Sequence, residues 1–205
     1  MKELLLFSGF LAALTYIAVT IIGGALRPGY SHLKDTVSEL FSPGSPNKRL
    51  LNIFLFVYAA FTTAFGFGLW LFVDDSGAAS TMGYLAAGFI VLIGVMNFLT
   101  GFVFLQDPMG KPMTLSGMMH VALVGIMALI SMIAPLHLGF WLSNKGLLPG
   151  YDAYSFVSAG LILLGGLSNL AISKLGKPIL GLTERITIFF MLQWTAVIAI
   201  RLMMF

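Results

Sequence analysis

The sequence predicts an all-α, polytopic membrane protein: six transmembrane helices in one bundle, with a short interfacial helix in the first loop. Three observations carry this expectation. Hydrophobic residues make up 59% of the 205-residue chain and charged residues only 9%, whereas a soluble domain is about one quarter charged. The mean hydropathy is +0.97. Six apolar runs each reach the roughly 20 residues that a helix needs to cross a bilayer, and Pro, Gly, Asn, Asp and Lys, the residues of turns, separate them.

The first run, residues 4–26, follows Lys2 and ends in Gly23, Gly24 and Ala25. It is long for the apolar stretch of a signal peptide and five more runs follow it, so a retained first helix is expected. The next spans are expected at 50–73 and 82–105. The fourth, 115–142, is overlong, and Pro135 is expected to kink it or mark its exit, with His137 and Trp141 in an interfacial belt. The last two runs cover 153–173 and 182–204. Together they predict a single transmembrane domain over residues 1–205. A faint repeat links the third and fifth spans: Gly88, Gly94, Asn97 and Gly110-Lys111-Pro112 have the spacing of Gly160, Gly166, Asn169 and Gly176-Lys177-Pro178.

Composition also excludes several functions. The net charge of +3 rests on 11 basic residues that form no stripe, so nucleic acid is not an expected partner. With no Cys in the chain, thiol catalysis, disulfides and thiolate metal sites are impossible. Arg27, Lys34, Lys48, Arg49, Lys111, Lys174, Lys177 and Arg185 fall on the side of the odd loops, and Lys2, Lys145 and Arg201 on the side of the termini. The positive-inside rule then makes the odd loops cytoplasmic. The expected location is integral to the cell membrane of a bacterium or archaeon.

Polar chemistry gathers on that same side. The first loop reads RPGYSHLKDTVSEL over 27–40 and SPGSPNKR over 42–49, and long loops are more often functional than short ones. Leu33, Val37, Leu40 and Phe41 mark one apolar stripe, with Ser31, Asp35, Ser38 and Glu39 opposite, so an amphipathic helix is expected within 31–41. Ser31 is a suitable N-cap and Ser42-Pro43-Gly44 a stop. Asp107 follows the third span directly. Ser116 and His120 lie four apart at the start of the fourth, on one face. Glu184 and Arg185 open the sixth, and Asn97 and Asn169 add amides within the third and fifth. Ionisable groups within spans are costly and usually face a bundle interior. Arg27, Glu39, Asp107, His120 and Glu184 are therefore expected to converge in one pocket. Taken singly each has a plainer use: Arg185 could snorkel to headgroups, Glu184 could favour its helix dipole, and Asp107 could shape a turn.

At the first loop the chain resembles the domain-of-unknown-function 998 family of multi-pass membrane proteins. The matching residues are Arg27, Gly29, Tyr30 and Ser31, then Val37, Ser38, Glu39 and Leu40, then Pro43, Gly44, Pro46 and Asn47, with Asp107-Pro108 and His120 further on. Phe41 stands where the family usually has Gly. The resemblance covers essentially the whole chain and implies six spans, but it brings no activity.

Three functions fit this pattern. The first is binding or transport of an amphiphile or lipid with an anionic or hydroxylated headgroup, lined by Arg27, Tyr30, Ser31, Asp35, Ser38, Glu39, Asn47, Asp107, His120, Glu184 and Arg185. The second is an intramembrane lipid-modifying enzyme, with His120 and carboxylates in acid/base roles and Ser31 or Ser116 as nucleophile, although no G-x-S-x-G surrounds either serine. The third is a structural or assembly subunit. Membrane lipid is the expected partner, and the pattern neither requires nor forbids self-association. No H-E-x-x-H or similar ligand pair occurs, so neither metal nor cofactor is predicted.

Overall fold

The structure, a computed structural model, describes residues 1–108 and 110–205. Among the described residues six helices are long and apolar enough to cross a membrane: α1 (Lys2–Leu26), α2 (Lys48–Asp75), α3 (Thr81–Phe98, with the turn that follows it), α4 (Leu115–Lys145), α5 (Tyr151–Leu175) and α6 (Leu180–Met203). Helices are the form such a chain takes in lipid, because every backbone N–H and C=O must find a partner within its own segment. Each helix packs on the next and α6 closes against α1, so the six form a ring in sequence order.

One end of the ring is tightly filled. Trp141, Trp194, Phe65, Leu69, Ile90 and Leu138 share a buried core there. Both indoles are anchored: Trp141 Nε1 donates to the Ala78 carbonyl at 2.8 Å and Trp194 Nε1 to Ser155 Oγ at 3.0 Å. Gly139 of α4 lies so close to α5 that a Cβ there would meet Phe156 at 2.7 Å. The expectation at Pro135 is corrected here. It does not end α4, since the helix continues to Lys145, and Trp141 is buried within the bundle, bonded to Ala78 between α2 and α3.

At the other end two features stand out. Helix α3 runs into a π-helical turn, Leu99–Val103, closed by Phe104 N–H donating to the Leu99 carbonyl at 2.8 Å. The first loop folds inward between α1 and α2, so that Val37, Leu40 and Phe41 pack with Val19, Leu51, Leu55 and Leu192. The loop does hold a short helix, but it is a single 3-10 turn, Ser38–Phe41, and not an amphipathic helix over 31–41. Residues 31–35 instead form a tight turn in which the Ser31 carbonyl accepts from both Lys34 and Asp35 N–H. The Asp35 carboxylate reaches back to accept the Ser31 N–H at 2.7 Å. Of the predicted apolar stripe, Val37, Leu40 and Phe41 are buried and Leu33 is 55% exposed.

Candidate functional site

The first loop is held to the start of α6 by a dense set of bonds. The first N–H groups of a helix have no partner within it, and here the loop supplies two of the missing acceptors. Gly181 N–H donates to the Lys34 carbonyl at 3.2 Å and Leu182 N–H to the Leu33 carbonyl at 3.0 Å. Position 181 needs glycine for this approach, because a Cβ would lie 2.9 Å from the Asp35 carbonyl carbon. Arg185 completes the clamp. Its Nη1 donates to the carbonyls of His32 (2.7 Å), Asp35 (2.9 Å) and Gly181 (2.9 Å), and its Nη2 donates to the Tyr30 hydroxyl. That hydroxyl donates in turn to the Thr36 carbonyl at 2.9 Å. Burial pushes the Tyr30 hydroxyl up to about 12 despite the nearby Arg185 charge. His32 is lowered from its ordinary value, by burial first and then by Arg185.

Arg27 is used in the same way. Its Nη1 donates to the Glu39 carbonyl at 2.6 Å, and its guanidinium lies over the Tyr30 ring, 5.8 Å from the centroid. Glu39 itself is only 4% exposed, and its Oε2 has no hydrogen-bond partner among the described residues. Burial raises its carboxyl above the ordinary range; Asp35 adds to the rise and Arg27 opposes it. Asn47 donates to the Leu26 carbonyl at 3.3 Å from an exposed position.

Next to this clamp lies a cavity of about 510 Å³, bounded mainly by α3, α4, α5 and α6, within the size range of small-molecule sites. His120 and Glu184 both line it, as do Ser38, Asn97 and Asn169. His120 Nδ1 bonds the carbonyls of Phe104 (2.8 Å) and Thr100 (3.3 Å) at the π-turn. Carbonyls only accept, so Nδ1 carries a proton, and in the neutral form of the ring Nε2 holds the lone pair. Glu184 Oε2 accepts the Val37 N–H at 2.6 Å, tying the first loop to the cavity wall. Asn169 Nδ2 donates to Thr183 Oγ1 at 3.3 Å and to the Leu180 carbonyl at 3.4 Å, joining α5 to α6. The deep part of the cavity is apolar apart from Ser131, with Met127, Met132, Ile162 and Leu163 in its wall. From His120 to Ser131 it follows α4 for about 16 Å at 1.5 Å per residue, roughly half the apolar thickness of a bilayer.

The cavity exists because α4 and α5 part company. No residue from 121 to 129 is buried, nor any from 166 to 175. A Cβ added at Gly125, Gly160 or Gly166 would meet nothing within 4 Å. Here α4 is drawn toward α3 through His120 and through Ser116, whose Oγ donates to the Leu105 carbonyl at 3.2 Å. Meanwhile α5 is drawn toward α6 through Asn169, and the two pairs leave a gap between them.

The predicted site residues thus divide into three groups. Ser38, His120 and Glu184 line one cavity. Arg27, Tyr30, Ser31, Asp35, Glu39 and Arg185 build the adjoining loop clamp, with both guanidiniums on backbone carbonyls. Asp107 stands apart: its carboxylate accepts from Thr114 N–H at 2.7 Å and Thr114 Oγ1 at 3.0 Å, bracing the turn into α4. Asn47, capping α2, is likewise outside the cavity. Ser116 is bonded to Leu105 and not to His120. Among the described residues no three His, Cys, Asp or Glu side chains are grouped to hold a metal. The sequence reading overlooked Tyr16 and Tyr58, which face each other edge-to-face at 4.7 Å and border the cavity. Their hydroxyls, at mid-span in α1 and α2, were the available signal.

No curated protein and no solved structure matches the chain. A family model described as "Protein of unknown function (DUF998)" matches residues 10–201, the whole ring from α1 to α6 together with the first-loop motif, and the chain belongs to the DUF998 family.

Proposed function

We propose that this protein binds or transports a membrane amphiphile, the apolar chain lying between α4 and α5 and the headgroup at the first-loop end of the cavity. One observation carries the reading: an apolar cavity of about 510 Å³ whose polar lining is concentrated at one end. That matches the division of an amphiphile, and lipid is the solvent around the helices. Arg27 and Arg185 are committed to backbone carbonyls, so of the two headgroup types the sequence suggests, the hydroxylated one has more support than the anionic one. We also infer that the odd loops are cytoplasmic and the host membrane bacterial or archaeal. Lys34, Lys48, Arg49, Lys111, Lys174 and Lys177 support the sidedness even without the two clamp arginines.

The test is lipid extraction and native mass spectrometry of protein purified in nanodiscs, wild type beside Gly166→Trp. Gly166 borders the cavity and has open space at its Cβ, so the indole fills the site without disturbing packing. The expected result is one retained amphiphile per wild-type chain and none in the variant, with melting temperature not lowered. Equal retention by both proteins, or none by either, would overturn the proposal.

A second reading, acid/base chemistry on a bound lipid, is favoured by His120 and Glu184 lining the same cavity. Its serine-nucleophile form loses support, since Ser116 and His120 each bond a backbone carbonyl of the α3–α4 connection and not one another.

A further inference from the structure

Four polar groups lining the headgroup end, on four different helices, offer unused acceptors. Asn97 Nδ2 donates to the Ile93 carbonyl at 2.9 Å, which leaves the amide oxygen and one N–H. Asn169 Nδ2 is spent on Leu180 and Thr183, which again leaves the oxygen. In both cases a backbone carbonyl fixes which end of the amide is nitrogen. His120 spends its Nδ1 proton on carbonyls and in its neutral form keeps the Nε2 lone pair. When ionised, Glu184 only accepts, and the Val37 N–H at 2.6 Å, with the Ser38 N–H beside it, leaves part of its roughly four lone-pair positions open. Neither amide oxygen, nor His120 Nε2, has a protein partner among the described residues, and none of the three is sealed from space. Among the described residues no lysine or arginine lines the cavity.

We infer that the amphiphile bound here carries a protonated amine headgroup, whose three N–H groups are shared among the amide oxygens of Asn97 and Asn169, His120 Nε2 and the Glu184 carboxylate. An ammonium has three donors and no acceptor, the complement of a wall that offers acceptors and one carboxylate. A carboxylate or phosphate headgroup would meet the same lone pairs with its own and would add a like charge to Glu184. The inference rests on the amphiphile reading above and names the class of ligand.

Full-length protein in phosphatidylcholine nanodiscs would be equilibrated with dodecylamine, dodecanol or dodecanoate. Bound probe is counted by native mass spectrometry, and Gly166→Trp identifies probe held outside the cavity. Dodecylamine should bind at one per chain and about ten-fold or more tighter than either other probe, the worth of one charge-assisted hydrogen bond. Glu184→Gln keeps an oxygen for the Val37 N–H and removes the charge, so it should abolish the preference for amine over alcohol. Should that variant not fold, Asn97→Leu serves, since the Asn97 side chain bonds the Ile93 carbonyl of its own helix and reaches only Tyr58 outside it; it should weaken the amine by a smaller factor. Dodecanoate binding as tightly as dodecylamine, or an amine preference that survives Glu184→Gln, overturns the inference. If dodecanol or dodecanoate occupies the cavity in a Gly166→Trp-sensitive way and the amine does not, the headgroup class falls while the amphiphile reading stands. If no probe shows sensitivity to Gly166→Trp, both fall.

Discussion

Helices α4 and α5 meet where Gly139 lies against Phe156 and stand apart where Gly125 and Gly166 border the cavity. Both ends are rich in Leu, Ile, Met and Gly, so composition does not separate them. What differs is where the polar side chains draw each helix. At the closed end the indoles bond within the ring, Trp141 to Ala78 and Trp194 to Ser155, and the core fills the space between. At the open end His120 commits α4 to α3 and Asn169 commits α5 to α6. Lipid tails are as apolar as leucine, so no hydrophobic force closes the resulting gap. A few polar bonds therefore decide which helix neighbours meet.

The largest expected effect is at the clamp beside the open end. Arg185→Ala removes the donor shared by three carbonyls and frees the first loop from α6. A cost of about 3 kcal/mol follows from leaving such groups unpaired, with faster amide exchange at Val37 and Leu182 and unchanged exchange around Trp141. Arg185→Lys should not restore it, because a point-like ammonium cannot span the same acceptors. Uniform loss of protection at both ends would break the distinction drawn here.

At the closed end, Gly139→Leu forces side-chain atoms into the space of Phe156 and should cost about 2 kcal/mol by overpacking, read from thermal melting. Its counterpart at the open end has the opposite sign. Gly166→Ala meets nothing within 4 Å and should stabilise α5 by up to about 1 kcal/mol through helix propensity alone. Equal costs for both substitutions would mean that the gap closes in the membrane.

The smallest effect is a pH dependence. Burial raises the Glu39 carboxyl above its ordinary value of 4.5, so the unfolded chain ionises there first. Stability should then fall as pH rises from about 4.5 toward the higher folded-state value, and level off beyond it. Glu39→Gln should raise the melting temperature at about pH 8 and make no difference at about pH 4. An identical gain at both pH values would assign the effect to packing instead of charge.

The six helices were legible because the bilayer leaves so few choices: an apolar run of sufficient length must be helical. The first loop was legible only in part. Its pattern identified Val37, Leu40 and Phe41 as inward-facing, but an α-helix over 31–41 would need the carbonyls of Leu33 and Lys34 for its own N–H groups. Those carbonyls go to α6 instead, a tertiary demand with no trace in the loop's periodicity. The arginines misled for a related reason. A guanidinium fits a phosphate and a fan of carbonyls equally well, and residue type alone does not distinguish them. His120 and Glu184 were found because a titratable group within an apolar span is rare. Tyr16 and Tyr58 were passed over because their rings resemble ordinary core filling.

The bonds from Leu33 and Lys34 to Leu182 and Gly181 also set a timetable. Synthesis runs from the N-terminus, so the first loop leaves the ribosome long before the helix that receives its carbonyls. Until α6 arrives, Arg27 and Tyr30 are ready on an unfinished platform, and the ring cannot close. Helix α6 thus acts as the latch of assembly: membrane insertion of α1 to α5 can precede it, but the polar end of the cavity takes shape only when α6 is delivered.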